Sequence, residues 1–247
     1  MTDDVSRSPL HAVERSGGEA ALDSSRTRLN RYPARGHYDW DTITAILDEA
    51  FVCHVGFVVN GQPYVIPTGY GRDGRYLYIH GSAASRMLTE AGTGGPVCIT
   101  VTLVDALVLA RSAFNSSVNY RSVVILGHAE PVPGERKLAA LKTISDHIAP
   151  GRWEHLRPVR QSELDETAVL AIELVEASAK VRVGPPHDDA DDYRLPIWAG
   201  LIELPQAAPR IVPDPQLSPG IEMPAHVAGY ARPKRALEID EAGDGQP

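Results

Sequence analysis

The sequence predicts a mainly β, α+β domain: an antiparallel split β-barrel of six or more strands with two to three short helices. Three observations carry this. Apolar runs of strand length follow one another along most of the chain, separated by turn residues. Asn60-Gly61 and Asp73-Gly74 lie between such runs and mark tight hairpins. Helical spacing occurs only in short inserts, which argues against a doubly wound parallel sheet.

The elements follow in order. YDWDTITAILDEA offers Asp39 or Asp41 as an N-cap, then Trp40, Ile43, Ile46, Leu47 and Ala50 at helical spacing. FVCHVGFVVNGQPYVIPTGY is two strands joined at Asn60-Gly61, and RYLYIHGS adds a third strand of the meander. In that strand alternation sets Leu77 and Ile79 toward the core and Tyr76, Tyr78 and His80 away from it. A short helix is expected from about Ala83 to Glu90, ended by the glycine-rich AGTGGP. VCITVTLVDALVLA is a long strand bent near Asp105, and YRSVVILGHAEPV is the next. GERKLAALKTISDHI is a helix with Leu138, Leu141, Ile144 and Ile148 on one face. TAVLAIELVEASAKVRVGPP closes the set as one final strand.

Composition bounds the domain plan and the function classes. Of 247 residues 43% are hydrophobic, which suffices for a packed core. Residues 1–30 are polar and aperiodic and read as a disordered lead-in. Residues 205–247 hold many of the 20 prolines, cannot form regular helix or central strand, and read as an extension that drapes over the surface or trails free. The globular part is 31–204. The net charge of −8 and the lack of any Lys/Arg run argue against nucleic acid as a partner. No apolar leader and no run of about 18 apolar residues is present, so neither secretion nor a membrane span is expected, and a cytoplasmic location fits. Two cysteines, Cys53 and Cys98, cannot build a disulfide framework and read as small buried hydrophobes.

Candidate chemistry gathers in three stretches. In LYIHGSAASRML, Gly81 permits a tight turn, Ser82 or Ser85 enters a helix, and Arg86 can reach back with a bidentate fork. This reads either as a cradle for a phosphate monoester or as a plain helix cap with a solvated arginine. In YVIPTGY, Pro67 removes a ladder donor and implies an edge strand or bulge. The polar stretch ARSAFNSSVNYRS, between two apolar strands, reads as a loop lining something polar, or as a solvated one. It is flanked by Arg111 and Arg121, which could form a second cationic feature. His54, His80 and His128 lie on strands without metal-ligand spacing, so no metal site is expected. The run Asp188, Asp189, Asp191 and Asp192 reads as a solvated loop. No GxSxG, P-loop or GxGxxG is present.

Taken as an ordered set, CHVGFVVNGQPYVIPTGY, LYIHGSAASRML, VTLVDALVLARSAF, NYRSVVILGHA, SAKVRVGPP and WAG resemble one family over about 30–202. It is the FMN-binding split barrel of the pyridoxamine 5′-phosphate oxidase superfamily, and within it the nitroimidazole-resistance-like, flavin-nucleotide-binding branch. The resemblance implies a homodimer with two FMN sites at the subunit interface. It sets Val65, Ile66, Pro67 and Thr68 along the isoalloxazine. The phosphate would lie on Ser82, Ser85 and Arg86, with His80 and Gly81 beside it. Tyr120, Arg121 and Ser122 would lie near the flavin or phosphate, and Lys180, Arg182 and Trp198 would come from the closing segment. The chain departs from the family in one place. Relatives carry His-His-Ser-Met-Asn where it reads Asn115, Ser116, Ser117, Val118, Asn119, and Gly where Ala106 stands. The cofactor cradle is therefore retained and the substrate side altered.

The expected function is an FMN-dependent oxidoreductase acting on a small organic substrate, with Tyr120, His80 and Arg121 as candidate catalytic groups. Two alternatives stay open. One is a non-catalytic flavin-binding protein. The other is a haem-binding split barrel with His54, His80 or His128 as axial ligand. A deazaflavin is a further cofactor option.

Overall fold

The computed structural model describes residues 22–205 and 209–231. Among these, nine strands form one antiparallel sheet, and six of them close into a ring. The first strand, β1 (Gly36–His37), is short and precedes α1 (Trp40–Glu49). The Asp39 side chain caps α1 by accepting the Thr42 N–H at 2.8 Å. Helical periodicity then turns Ile43, Ile46 and Leu47 fully into the core.

The hairpin of β2 (Val52–Val59) and β3 (Gln62–Asp73) turns on Asn60 and Gly61, both at positive φ (50° and 79°). That is the primed geometry whose twist matches flanking strands. Register runs from Val59↔Gln62 to Val52↔Gly69. Strand β4 (Tyr76–Ser82) pairs with β3 only from Asp73↔Tyr76 to Tyr70↔Ile79. Beyond that it continues on its other edge with β7 (Thr167–Glu173), down to Ser82↔Thr167. The β3–β4 ladder thus opens after four pairs, and this opening is the split. Next come α2 (Arg86–Ala91), then β5 (Pro96–Leu109) paired along most of its length with β6 (Ser117–Pro131). A register shift at Asp105 bulges β5, where the sequence expects a bend. The ring closes through β6–β7, β7–β4, β4–β3, β3–β2, β2–β5 and β5–β6.

Helix α3 (Glu135–Ile148) lies across β3, and Gly71 makes the approach possible. A Cβ there would stand 2.5 Å from the Ile144 Cα and 2.8 Å from the Thr143 carbonyl oxygen. Inside the ring Val55, Tyr70, Leu77, Ile79, Ile99, Ile125 and Ile172 are fully buried. The Tyr70 hydroxyl donates to the Leu47 carbonyl.

Four sequence expectations are corrected. The closing run is two strands, β7 and β8 (Ala177–Arg182), because 174–176 turns the chain from the β4 edge to the β6 edge. The buried Leu174 pins that turn, its N–H donating to the Arg75 carbonyl. The helix expected from Ala83 starts at Arg86, since 82–85 closes a turn of its own with the Ser85 N–H on the Ser82 carbonyl. Residues 22–30, assigned by the sequence to the lead-in, are fastened to the domain. Leu22 is buried, its carbonyl accepts from the Ala177 N–H, and Ser24 and Arg26 both bind Glu176. The rest of that lead-in, residues 1–21, lies outside the described residues. Finally, α4 (Gln161–Glu166) and β9 (Gly200–Glu203, paired with β5) were not anticipated, nor was the single-turn α5 (Ala225–Ala228) in the proline-rich extension. There His226 stacks on His155 at 4.3 Å, and Tyr230 donates to the Ile148 carbonyl.

Candidate functional site

Strand alternation sorts the candidate residues into two groups. The first lies on the outer face of the sheet. Val65 and Pro67 project there from β3, beside Val52, His54 and Val58 of β2. Tyr120 and Ser122 continue the same face on β6, and their register partners on β8 are Arg182 and Lys180. This face exposes apolar side chains, with Val65 at 67% and Val58 at 61%. His54 pairs in register with Pro67 on one side and Thr100 on the other. Its imidazole has no hydrogen-bond partner among the described residues.

The second group lines the split. Ile66 and Thr68 face inward on β3; His80, Gly81 and Ser82 end β4; Ser85 and Arg86 begin α2. Arg86 is exposed, lies 5.5 Å over the Tyr64 ring, and has no ion-pair partner among the described residues. Ser85 stands at the N-cap, yet its side chain makes no cap hydrogen bond, so its hydroxyl is free for a ligand. The helix is only six residues long, so the anion-binding character of this corner rests on the guanidinium rather than on a helix dipole. His80 is half-buried with Nδ1 unpartnered, and burial lowers its pKa below the ordinary imidazole value.

Arg121 belongs to neither group. It points inward, opposite to Tyr120 and Ser122, and four of its five N–H donors are committed. Nη1 and Nη2 bind Glu49 at 2.6 and 3.0 Å, while Nε and Nη2 bind Asp105 at 3.0 and 2.8 Å. These bonds raise its pKa above the ordinary guanidinium value. The expectation that Arg121 serves the cofactor or the chemistry is therefore replaced by a structural role. Nor do Arg111 and Arg121 form a joint cationic feature. Arg111 binds the buried Asp188 at 3.0 Å and stacks over Tyr193. Asp188 is thus no part of a solvated run. Burial alone would raise its pKa, but hydrogen bonds from the Arg111 backbone and side chain hold it below the ordinary value.

The remaining candidates separate as well. Lys180 is half-buried with no ion-pair partner among the described residues, whereas Arg182 donates to the Val118 carbonyl at 3.2 Å. Trp198 is 67% exposed and folds over Gly200, where a Cβ would lie 3.0 Å from the indole. His128 lies on the same outer face and engages the Gly94 carbonyl through Nδ1 at 2.8 Å. Cys53 is buried and its thiol is pushed up to about 12, so it holds no thiolate. No cluster of three or more metal-ligating side chains occurs among the described residues. No helix there is long and apolar enough to cross a membrane.

The sequence reading missed Glu49 and Asp105 as partners of Arg121. Asp105 gave a signal, as a lone carboxylate in an apolar strand. Glu49 gave none, since a glutamate in the last turn of a helix reads as surface.

A family model described as pyridoxamine 5′-phosphate oxidase matches residues 39–181, more than half of the sequence. The chain belongs to this family. Among solved structures of this fold, the flavocytochrome Anf3 from Azotobacter vinelandii is 42% identical. The match covers 86% of this chain and 99% of that one, with a TM-score of 0.80. The FAD and heme binding protein from Mycobacterium smegmatis is 32% identical over 79% of this chain and 96% of its own, with a TM-score of 0.76. A putative 5-nitroimidazole antibiotic resistance protein from Bacteroides thetaiotaomicron is 24% identical over 59% of this chain and 86% of that one. Its TM-score of 0.51 bears on the fold alone. Among curated proteins none matches.

Proposed function

We propose that this oxidase-family chain is a flavin- and haem-binding redox protein. The observation that carries the reading is its 42% identity with a flavocytochrome along 99% of that protein, supported by 32% identity with an FAD and heme binding protein. FMN, the flavin expected from the sequence, shares its isoalloxazine and first phosphate with FAD, so the residues argued for hold either nucleotide.

The chain's own groups fit these cofactors. Arg86 and the uncommitted Ser85 hydroxyl suit a phosphate, with Ser82, Gly81 and His80 beside them. Backbone groups of Val65, Ile66, Pro67 and Thr68 would border the isoalloxazine, on a strand that the split frees from β4. Tyr120, Ser122, Lys180 and Arg182 of the outer face, with Trp198 of the closing segment, would complete the site, in a homodimer across the interface. For haem, the outer face offers exposed Val52, Val58 and Val65 on the same face as an imidazole without a partner, so His54 is the residue that would ligate the iron. His54 is the register neighbour of Pro67, so the two cofactors would share adjacent strands. When bound, the cofactors supply the electron-transfer chemistry, and the protein supplies position and electrostatics. Turnover of a small organic substrate would draw on Tyr120 and His80.

Purification without added cofactor tests this. The expected product shows a flavin band and a Soret band. His54→Ala keeps the first and loses the second. A His54→Ala variant with an unchanged Soret band would remove the ligand assignment.

A further inference from the structure

Beyond β9 the proline-rich extension meets the domain at the single-turn α5. One turn of helix does not hold itself in water, because it fixes more torsions than its few hydrogen bonds offset, so α5 persists by docking. Two contacts mark the dock. The Tyr230 hydroxyl reaches the Ile148 carbonyl at the end of α3, at a long 3.4 Å. The His226 ring stacks on His155 of the 3₁₀ turn Trp153–His155, with centroids 4.3 Å apart and planes 23° from parallel. Gly151 leaves room for that ring, since a Cβ there would stand 3.4 Å from the His226 Cβ.

His226 is half-buried, and both of its ring nitrogens are buried without a hydrogen-bond partner. A neutral imidazole carries one N–H donor into that place, whereas an imidazolium carries two and a charge. The charged groups of the corner do not receive it. His155 and Arg152, from the turn, both disfavour a proton on His226. Asp146 of α3 and Glu154 of the turn bind Lys142, at 2.6 and 2.9 Å. His147 of α3 turns to the Ala50 carbonyl. The sequence of α5, AHVA, brings no acid, and Glu222 lies before it in the chain.

We propose that the His155–His226 stack is an acid-released latch, which holds the C-terminal extension on α3 while both rings are neutral and frees it when His226 takes a proton. Burial, His155 and Arg152 keep the docked His226 below its ordinary pKa of 6.5. Below that pH the undocked ring takes the proton first, so docking is complete above it and weakens as pH falls. The ring of strands closes without α5, so the barrel does not depend on the latch. No cofactor takes part in it.

Hydrogen exchange of the full-length protein, read by mass spectrometry, tests this. The Val227, Ala228 and Gly229 amides donate to the Pro224 and Ala225 carbonyls, so their protection reports docking. Protection factors correct for the pH dependence of free-amide exchange. Those of α5 are expected to fall about fivefold from about pH 7.5 to pH 5.5, while β5 and β6 amides stay protected. His226→Phe keeps a ring for the stack and cannot take a proton, so α5 should stay docked at both pH values. His155→Ala should lower protection already at the higher pH. An unprotected α5 at the higher pH, unchanged protection at the lower, or an equal fall in His226→Phe would each overturn the proposal.

Discussion

Removing Glu49 should destabilise the fold without emptying the cofactor site. The Glu49 side chain is 1% exposed and that of Arg121 is 12% exposed, so their ion pair is shielded from water. Breaking such a pair by truncating one partner costs about 3–5 kcal/mol, since the surviving charge stays buried. Here Asp105 remains, with two bonds to the same guanidinium and a side chain 34% exposed, so water can share the load. The low end, about 3 kcal/mol, is therefore expected for Glu49→Ala. In a domain of this size that lowers Tm by about 6–12 °C. Replacing both partners, as Glu49→Leu with Arg121→Met, should recover most of the loss, because apolar side chains of similar volume carry no desolvation penalty. Thermal unfolding by circular dichroism reads both variants and Arg121→Met alone, and flavin absorbance is followed in parallel. A loss below about 1 kcal/mol for Glu49→Ala would mean the pair behaves as a surface pair. Flavin lost from Arg121→Met at unchanged Tm would return Arg121 to the cofactor site.

Three further outcomes follow from the same geometry. Arg86→Ala should weaken flavin binding by about 1.5–3 kcal/mol, some ten- to over hundredfold, with Tm of the cofactor-free protein unchanged; equal affinity by fluorescence titration would remove the phosphate assignment. Gly71→Ala should cost about 3 kcal/mol in urea unfolding, since backbone atoms of α3 occupy the Cβ position; a neutral result would mean α3 lifts freely. His147 is held neutral by burial, with Nε2 on the Ala50 carbonyl at 2.7 Å and a pKa below its ordinary value of 6.5. Below about pH 6.5 the unfolded chain takes up the proton first, so stability should be full above that pH and fall as pH drops below it. His147→Gln should flatten that slope, and an unchanged slope assigns it to other groups.

The fold was legible where periodicity and turn chemistry agreed. Asn60-Gly61 demanded a primed turn, and the alternation in LYIH set the core face of β4. The break between β7 and β8 was not legible, because LVEAS carries no glycine or proline and its turn is held by Arg75 of the distant β3–β4 turn. At the candidate site the sequence singled out the residues but could not sort their faces. Tyr120 and Arg121 are neighbours in the chain and lie on opposite sides of the sheet, where Glu49, 72 residues away, decides what Arg121 does. Asn119 was read as one of several loop polars, since only the Gly184 carbonyl fixes which amide atom is left over. Long-range partners of this kind have no local signature.

The central claim is that this chain carries a flavin and a haem together. Absorption spectroscopy of the protein as purified, with mass spectrometry of the released cofactors, tests it most directly. The account predicts one flavin nucleotide and one haem b per chain, with the haem lost and the flavin kept in His54→Ala. A chain that stays colourless after incubation with FMN, FAD and haemin would contradict it.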